Sequence, residues 1–417
     1  MEKIALLFPG QGSQYIGMTK TFTDQYPVAR RTLEEASDIL GYNLAALCQE
    51  GELSDLNKPE QLQPAILTAS VAAYRVFQQE LGVLPEFAAG HSLGEYAALT
   101  CSGGIRFADA VQIVRLRGRL SEQVASLGHA SMAIVRNVES RLVENECRQL
   151  SQGDALVMVS CYNSERQVAV SGHLAEMGAL EQRVLELGGS IHPLPLSPPF
   201  HSPLMADAAE ELREELARHT YFPLRWPVIS NVTAKPYPGL ESFVSLLTQQ
   251  IQTPVHWQKT LAYLARQGVT KAIEIGPKNV LASLVTRNTP QVESFAFDQR
   301  EDRKKLHALF DGSPEQSHRP QFLGRCLAIA VSTPNANPNR DEYEAGVIQP
   351  YRRLESLQAE VEKTDRTPTE SELLVAYDLL KQILRTKRLP EQEQSEWLHQ
   401  LREETGLYDL LPSVVYV

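Results

Sequence analysis

Gly90-His91-Ser92-Leu93-Gly94 sets a serine in the spacing G-x-S-x-G. That spacing puts a serine on a strained strand-to-helix turn with its hydroxyl exposed. Small residues on both sides let the two backbones approach closely. Phe87-Ala88-Ala89 can finish a short buried strand and Glu95-Tyr96-Ala97-Ala98-Leu99 can open a helix. The helix N-terminus would then favour the negative charge that develops when the serine attacks a carbonyl. The bland alternative is a glycine-rich turn with an incidental serine. A serine nucleophile also needs a base and donors for the oxyanion. The segment Ser197-Pro-Pro-Phe-His-Ser-Pro-Leu-Met205 offers His201, and Pro198 and Pro199 stiffen its approach at little entropic cost. Alone, His201 reads equally well as a buried structural histidine; beside Ser92, catalysis explains it better. For the oxyanion, Phe8-Pro-Gly-Gln-Gly-Ser-Gln14 follows the first strand and can aim backbone N–H groups into the same cleft. Its spacing fits neither G-x-G-x-x-G nor a Walker loop.

Arg117 stands out on periodicity. On a helix over 108–125, Ala110, Val111, Ile113, Val114, Leu116, Leu120, Val124 and Ala125 span one broad apolar arc, and Arg117 falls near its middle. Arg115 and Arg119 fall on the polar side. A guanidinium in a buried arc needs an anionic partner, because an unpaired buried charge is very costly. The partner is either a protein carboxylate or a carboxylate on the substrate, which the planar fork of arginine suits. If Arg117 faces the Ser92 cleft, the substrate is an acyl group bearing its own carboxylate.

These residues must be positioned by a chain of 417 residues, 43% hydrophobic and 22% charged, long enough for two or three compact units. Residues 1–127 alternate short apolar strands with amphipathic helices, including one from about Pro64 to Glu80, as in an α/β domain with a mainly parallel sheet. From 128 to 196 the order of strands and helices predicts a β-α-β-β-α-β lid. The α/β pattern resumes over 197–300. Residues 311–340 are rich in Pro, Ser, Asn and Asp and read as a linker interrupted by Cys326–Val331. Helices are predicted near 341–363, 370–387 and 391–405, the second opening with the capping-box spacing Thr369-x-x-Glu372. This tail either docks on the main domain or binds a partner. The N-terminus reads as a strand rather than a signal peptide, and no apolar run reaches transmembrane length. A net charge of −11 argues against nucleic acid, and five scattered cysteines suggest reduced thiols in a cytoplasm. The histidines form no metal-binding pattern, so no metal is expected.

Several motifs then coincide: Phe8-Pro-Gly-Gln-Gly-Ser-Gln14, Gln63-Pro-Ala, Gly90-His-Ser-Leu-Gly-Glu-Tyr96, Arg117-Gly118, Phe200-His201-Ser202, Ile229-Ser-Asn-Val232 and Glu274-Ile-Gly-Pro277. In order and spacing, over about residues 1–300, they resemble malonyl-CoA:acyl carrier protein transacylases and polyketide synthase acyltransferases. The resemblance implies an α/β-hydrolase-like large domain (1–127 and 197–300), an inserted ferredoxin-like subdomain (128–196) and a mainly helical C-terminal extension (301–417). It implies Ser92 as the acylated nucleophile and His201 as its base, steered by the main-chain carbonyl of Gln250. Gln11 and Leu93 would offer backbone N–H groups to the oxyanion, Arg117 would hold the malonyl carboxylate, and Asn163 and Gln63 match polar positions near the acyl pocket. Leu93 and Phe200 follow the malonyl-type pattern, the bulky Phe200 leaving less room for a C2 substituent. Pro199, Lys278 and His256 depart from the usual pattern. The reaction implied is ping-pong transfer of a malonyl group from coenzyme A to the phosphopantetheine thiol of an acyl carrier protein. It needs no cofactor of the enzyme's own, no nucleic acid and no membrane. The long tail looks more like free-standing acyltransferases of assembly lines, which keeps a C2-substituted malonyl unit, or one delivered on a carrier protein, as an alternative. A proofreading thioester hydrolase would share Ser92 and His201 but have no use for Arg117. An idle docking scaffold would leave the whole constellation unexplained.

Overall fold

The computed structural model describes residues 2–194, 197–310, 318–364, 366 and 368–405. Leu196, the expected end of the lid, residues 311–317 of the expected linker and the tail beyond 405 lie outside the described residues. By packing, the chain divides into two compact units. One comprises residues through Tyr74 with Leu84–Lys305; the other comprises Arg75–Val83 with the described residues from Leu306 onward.

The first unit holds two sheets. Their strands are β1 (Lys3–Phe8), β2 (Phe87–Gly90), β3 (Ala130–Arg136), β4 (Val157–Ser164), β5 (Gln167–His173), β6 (Ser190–Pro193), β7 (Val228–Ile229), β8 (Val269–Glu274) and β9 (Glu293–Ala296). The larger sheet has the order β7-β2-β1-β8-β9, with every pairing parallel. β1 is buried from Ile4 to Phe8, the continuous apolar run that a central parallel strand requires. The smaller sheet, β4-β5-β3-β6, is antiparallel throughout. With helices Ser140–Leu150 and Leu174–Glu186 it forms a β-α-β-β-α-β unit. Its core is Val135, Val143, Val159, Val170, Leu180 and Val184 among others. The chain is thus an α/β protein with a parallel sheet, a separate antiparallel sheet and a helical C-terminal region.

Helix Pro59–Leu81 begins five residues before the expected start, because Pro59 takes the first helical position and Pro64 is carried inside the helix. A larger correction concerns 318–332, which is a helix and not linker. Phe322, Leu323, Cys326, Ile329 and Ala330 recur at helical intervals and are buried, a pattern that the surrounding Pro, Ser and Asn obscure. It packs in the second unit with helices Gln349–Lys363, Glu370–Thr386 and Glu391–Thr405 around Leu354, Leu373, Tyr377, Leu380 and Leu401. The capping box is present: Glu372 N donates to Thr369 Oγ1 at 3.4 Å, and Thr369 N to Glu372 Oε2 at 2.7 Å. Among the described residues no helix is long and apolar enough to cross a membrane.

Candidate active site

The site forms at the carboxyl ends of the parallel strands, where open α/β sheets bind ligands. β1 runs into the loop 9–14, β2 into Ser92, and β8 into Ile275–Lys278. Ser92 has φ +54°, a left-handed conformation costly for a residue with a Cβ. Two glycines make the turn possible. A Cβ at Gly90 would lie 1.9 Å from the Gly94 carbonyl, and one at Gly94 would lie 2.0 Å from Phe8 O. Helix Gly94–Cys101 therefore sits directly on β1 and β2. Asn231, just beyond β7, clamps the turn: its Oδ1 accepts from Ser92 N at 2.7 Å and its Nδ2 donates to Gly90 O at 2.6 Å.

His201 Nε2 lies 2.7 Å from Ser92 Oγ, and its Nδ1 lies 2.7 Å from the main-chain oxygen of Gln250. A carbonyl only accepts, so Nδ1 carries the proton and Nε2 is left to accept from the serine hydroxyl. Burial, and then the positive charge of Arg117, push the imidazole down to about 3, so it is neutral at pH 7. Gln250 lies in the last turn of helix Ser242–Gln252, whose Ile251 oxygen also accepts from His201 N at 2.8 Å. Helix and histidine are thus joined at two points.

Arg117 is buried on helix Phe107–Ser126 and reaches the same place. One terminal nitrogen donates to Gln63 Oε1 at 2.9 Å; the other donates to Ser92 Oγ at 3.1 Å and to Gln250 Oε1 at 3.4 Å. The guanidinium carbon lies 4.6 Å from the centre of the Phe200 ring, within cation–π range. Among the described residues no carboxylate comes within ion-pair distance of it. Two buried donors here, its own Nε and the neighbouring Gln63 Nε2, meet no acceptor among the described residues. Of the two partners that the sequence allows for Arg117, the protein carboxylate is therefore not in contact.

The loop after β1 lies against the turn: a Cβ at Gly10 would meet His91 O at 2.4 Å and Leu93 N at 3.6 Å. Among the described residues, the backbone amides of Gln11 and Leu93 have no backbone acceptor. Lys278 stands at φ +65°, and its Nζ donates to Gly12 O at 3.1 Å, bracing that loop. Asn163 is one layer out. Its Oδ1 bonds His91 Nε2 at 2.7 Å, and its main-chain oxygen accepts from Asn288 at 2.9 Å. His256 stacks on Tyr162 with ring centres 5.5 Å apart, and Pro199 O accepts from Ser202 Oγ at 2.6 Å. Ser92, His201, Gln250, Arg117, Gln63 and Phe200 thus converge directly, whereas Asn163 touches His91 instead.

Sequence reasoning passed over Glu95. It lies one turn after Ser92, fully buried, and its carboxylate accepts from Tyr237 Oη at 2.6 Å, Gln250 Nε2 at 2.9 Å and Asn231 N at 3.3 Å. Burial pushes its carboxyl up to about 7 against these hydrogen bonds. An acidic residue in a first helical turn looks like an ordinary dipole partner. Every residue of helix Gly94–Cys101 is buried, so no contrast between an apolar and a polar face singles Glu95 out.

Residues 5–305 match the acyl transferase domain family. A malonyl CoA-acyl carrier protein transacylase of Bacillus subtilis is 35% identical over 398 residues, 94% of this chain and 99% of that protein. The chain belongs to the malonyl-CoA:acyl carrier protein transacylase family. Another member, from Escherichia coli K12, is 39% identical over 300 residues, 72% of this chain and 97% of its own length. The match with the B. subtilis transacylase therefore extends into the helical tail, which the E. coli transacylase match does not span. Among solved structures, a type II polyketide synthase acyl carrier protein in complex with its malonyl-transacylase provides a chain that superposes with TM-score 0.71 at 35% identity. That overlap covers 75% of this chain and 100% of the other. An acyl carrier protein S-malonyltransferase of Vibrio cholerae gives TM-score 0.70 at 38% identity, covering 73% and 100%.

Proposed function

We propose that this chain is a malonyltransferase that moves a malonyl group from coenzyme A to the phosphopantetheine thiol of an acyl carrier protein, in fatty acid or polyketide synthesis in the cytoplasm. The observation that carries the reading is Arg117: a buried cation 3.1 Å from the nucleophile oxygen that, among the described residues, has no carboxylate in contact and an unpartnered Nε. Such a charge is costly until an anion meets it. A malonyl carboxylate would meet it while presenting its thioester carbonyl to Ser92.

Ser92 Oγ attacks that carbonyl as its proton passes to His201 Nε2, and Gln250 O stabilises the imidazolium through Nδ1–H. The tetrahedral oxyanion sits on the amides of Gln11 and Leu93, each worth on the order of 10²–10³ in rate. Collapse breaks the C–S bond, and the departing thiolate takes the proton from His201. The carrier-protein thiol then repeats the path in reverse: His201 accepts its proton, the thiolate attacks the acyl-serine, and Ser92 leaves as the protonated hydroxyl. Phe200 confines the C2 carbon beneath the guanidinium, and Asn163 holds His91 behind the turn. No cofactor of the enzyme's own enters any step. We assign the catalysis to residues 1–127 and 197–300 with the inserted 128–196, and leave the 301–417 extension outside the chemistry.

The reading is tested by mixing the enzyme with malonyl-CoA and a holo-acyl carrier protein and following the carrier's mass. Malonyl carrier protein should form with wild type and not with Ser92→Ala. Release of free CoA and malonate, with the carrier left unloaded, would mean a hydrolase instead.

A further inference from the structure

Gln250 works through two different groups. Its main-chain oxygen faces His201, while its side chain runs the other way, into a buried polar chain. There Nε2 donates to Glu95 Oε2 at 2.9 Å and to Ser92 O at 2.8 Å, and Oε1 faces Arg117 at 3.4 Å. An amide has a donor end and an acceptor end, and a carboxylate accepts only. An ionised Glu95 therefore dictates that the NH₂ end turns toward it and the oxygen end toward the guanidinium. Were the amide reversed, two donors would face each other at Arg117 and two acceptors at Glu95. Glu95 is itself held at three points, by Tyr237 Oη, Asn231 N and Gln250, so its carboxylate has little freedom to turn away.

We propose that Glu95 is a positioning residue of the transfer site: its carboxylate fixes which end of the Gln250 carboxamide meets Arg117, and so keeps the guanidinium and the carbonyl behind His201 in register. The proposal rests on the malonyltransferase reading of Ser92, His201 and Arg117. It gives a purpose to a carboxylate that touches neither the nucleophile nor the base.

A pH profile separates positioning from mere structure. The groups facing Glu95 are Tyr237 beyond β7, Arg117 on its own helix and Tyr96 beside it; His201 and His91 lie behind Arg117. Arginine stays a cation, burial raises both phenols, and burial lowers both histidines. Of these facing groups, the one left to titrate near neutrality is Glu95, at about 7. Glu274 on β8 is also raised to about 7 but is hydrogen-bonded to Ala282 N, so the Glu95 and Tyr237 variants separate the two limbs. A group raised in this way is ionised only above that pH. One unit below, only about a tenth of the molecules carry the charge that orients Gln250.

The experiment is stopped-flow or quenched acylation of the full-length enzyme by malonyl-CoA from pH 5.5 to about pH 9, on wild type, Glu95→Gln and Tyr237→Phe. Wild-type kcat/KM should rise about tenfold from one unit below a limb near pH 7 to its plateau. Glu95→Gln, folded by circular dichroism, should lose that limb and fall at least about tenfold at pH 8, part of the 10²–10⁴ that a positioned base contributes. Tyr237→Phe removes a hydrogen bond that lowers the Glu95 pKa, so its limb should move to higher pH. That variant carries the test if Glu95→Gln does not fold. A Glu95→Gln profile within twofold of wild type at every pH, or a limb unmoved in Tyr237→Phe, would overturn the proposal while leaving the transferase intact. A wild type that forms no acyl-enzyme would overturn the underlying reading, and this proposal with it.

Discussion

Replacing Arg117 with alanine should reverse the enzyme's preference between malonyl and acetyl thioesters. The guanidinium is buried, donates to Ser92 Oγ, Gln63 and Gln250, and among the described residues has no carboxylate in contact. In the malonyl complex it would gain a two-pronged ion pair at a buried guanidinium. Removing one partner of such a pair costs about 3–5 kcal/mol, because the other charge is left buried alone. At 1.4 kcal/mol per factor of ten, kcat/KM for malonyl-CoA should fall roughly 140- to 3,700-fold. Acetyl-CoA offers no carboxylate. In the wild type it leaves the cation with no carboxylate in contact, still donating to the nucleophile and still depressing His201. Arg117→Ala removes all three burdens, so acetyl transfer should hold or rise. The assay is acylation of the purified variant by each ester in parallel, with Gln63→Ala as a control that removes an Arg117 partner but keeps the charge. If the malonyl-to-acetyl ratio stays within about threefold of wild type, Arg117 does not read the carboxylate.

Two further substitutions probe the walls of the site. Phe200→Ser removes a buried ring lying 4.6 Å from the guanidinium carbon. Methylmalonyl-CoA should gain on malonyl-CoA by about 10- to 200-fold, the value of one methylene in a pocket, while malonyl transfer itself drops as the cation–π contact is lost. Competition assays with both esters read the ratio, and an unchanged ratio would remove Phe200 from specificity. Gly90→Ala puts a Cβ 1.9 Å from backbone atoms that cannot move without displacing the helix from the sheet. It should destabilise by more than about 4 kcal/mol, visible as lost soluble protein or a collapsed unfolding midpoint. A variant with wild-type stability would mean that the turn is not built as described.

The parts of this site differ in how far they can be read from sequence, for physical reasons. The Ser92 turn announces itself because its geometry is local: two glycines bracket the residue that takes φ +54°. Arg117 is readable because helical periodicity exposes a charge on the wrong face, although its environment is not; nothing local says that Gln63, Phe200 and Ser92 surround it. Gln250 acts through a main-chain oxygen, which every residue has, so only resemblance to the family picks it out. Glu95 escapes because its burial depends on Tyr237 and Gln250, more than 140 residues away. Asn163 is found as a position but not as a contact, since its side chain serves His91. The helix at 318–332 is hidden by the company its apolar residues keep. The short strands β6 and β9 carry too few residues for any alternation to register.

In the proposed reaction a malonyl group is held covalently on Ser92 in a site tuned to its carboxylate. Intact-protein mass spectrometry after brief mixing with malonyl-CoA tests it most directly, with acetyl-CoA and Ser92→Ala alongside. The wild type should carry one malonyl adduct and Ser92→Ala none, with far less adduct from acetyl-CoA and loss of the adduct only when holo-acyl carrier protein is added. An adduct that survives Ser92→Ala, equal acetylation, or rapid discharge to water would contradict that reaction.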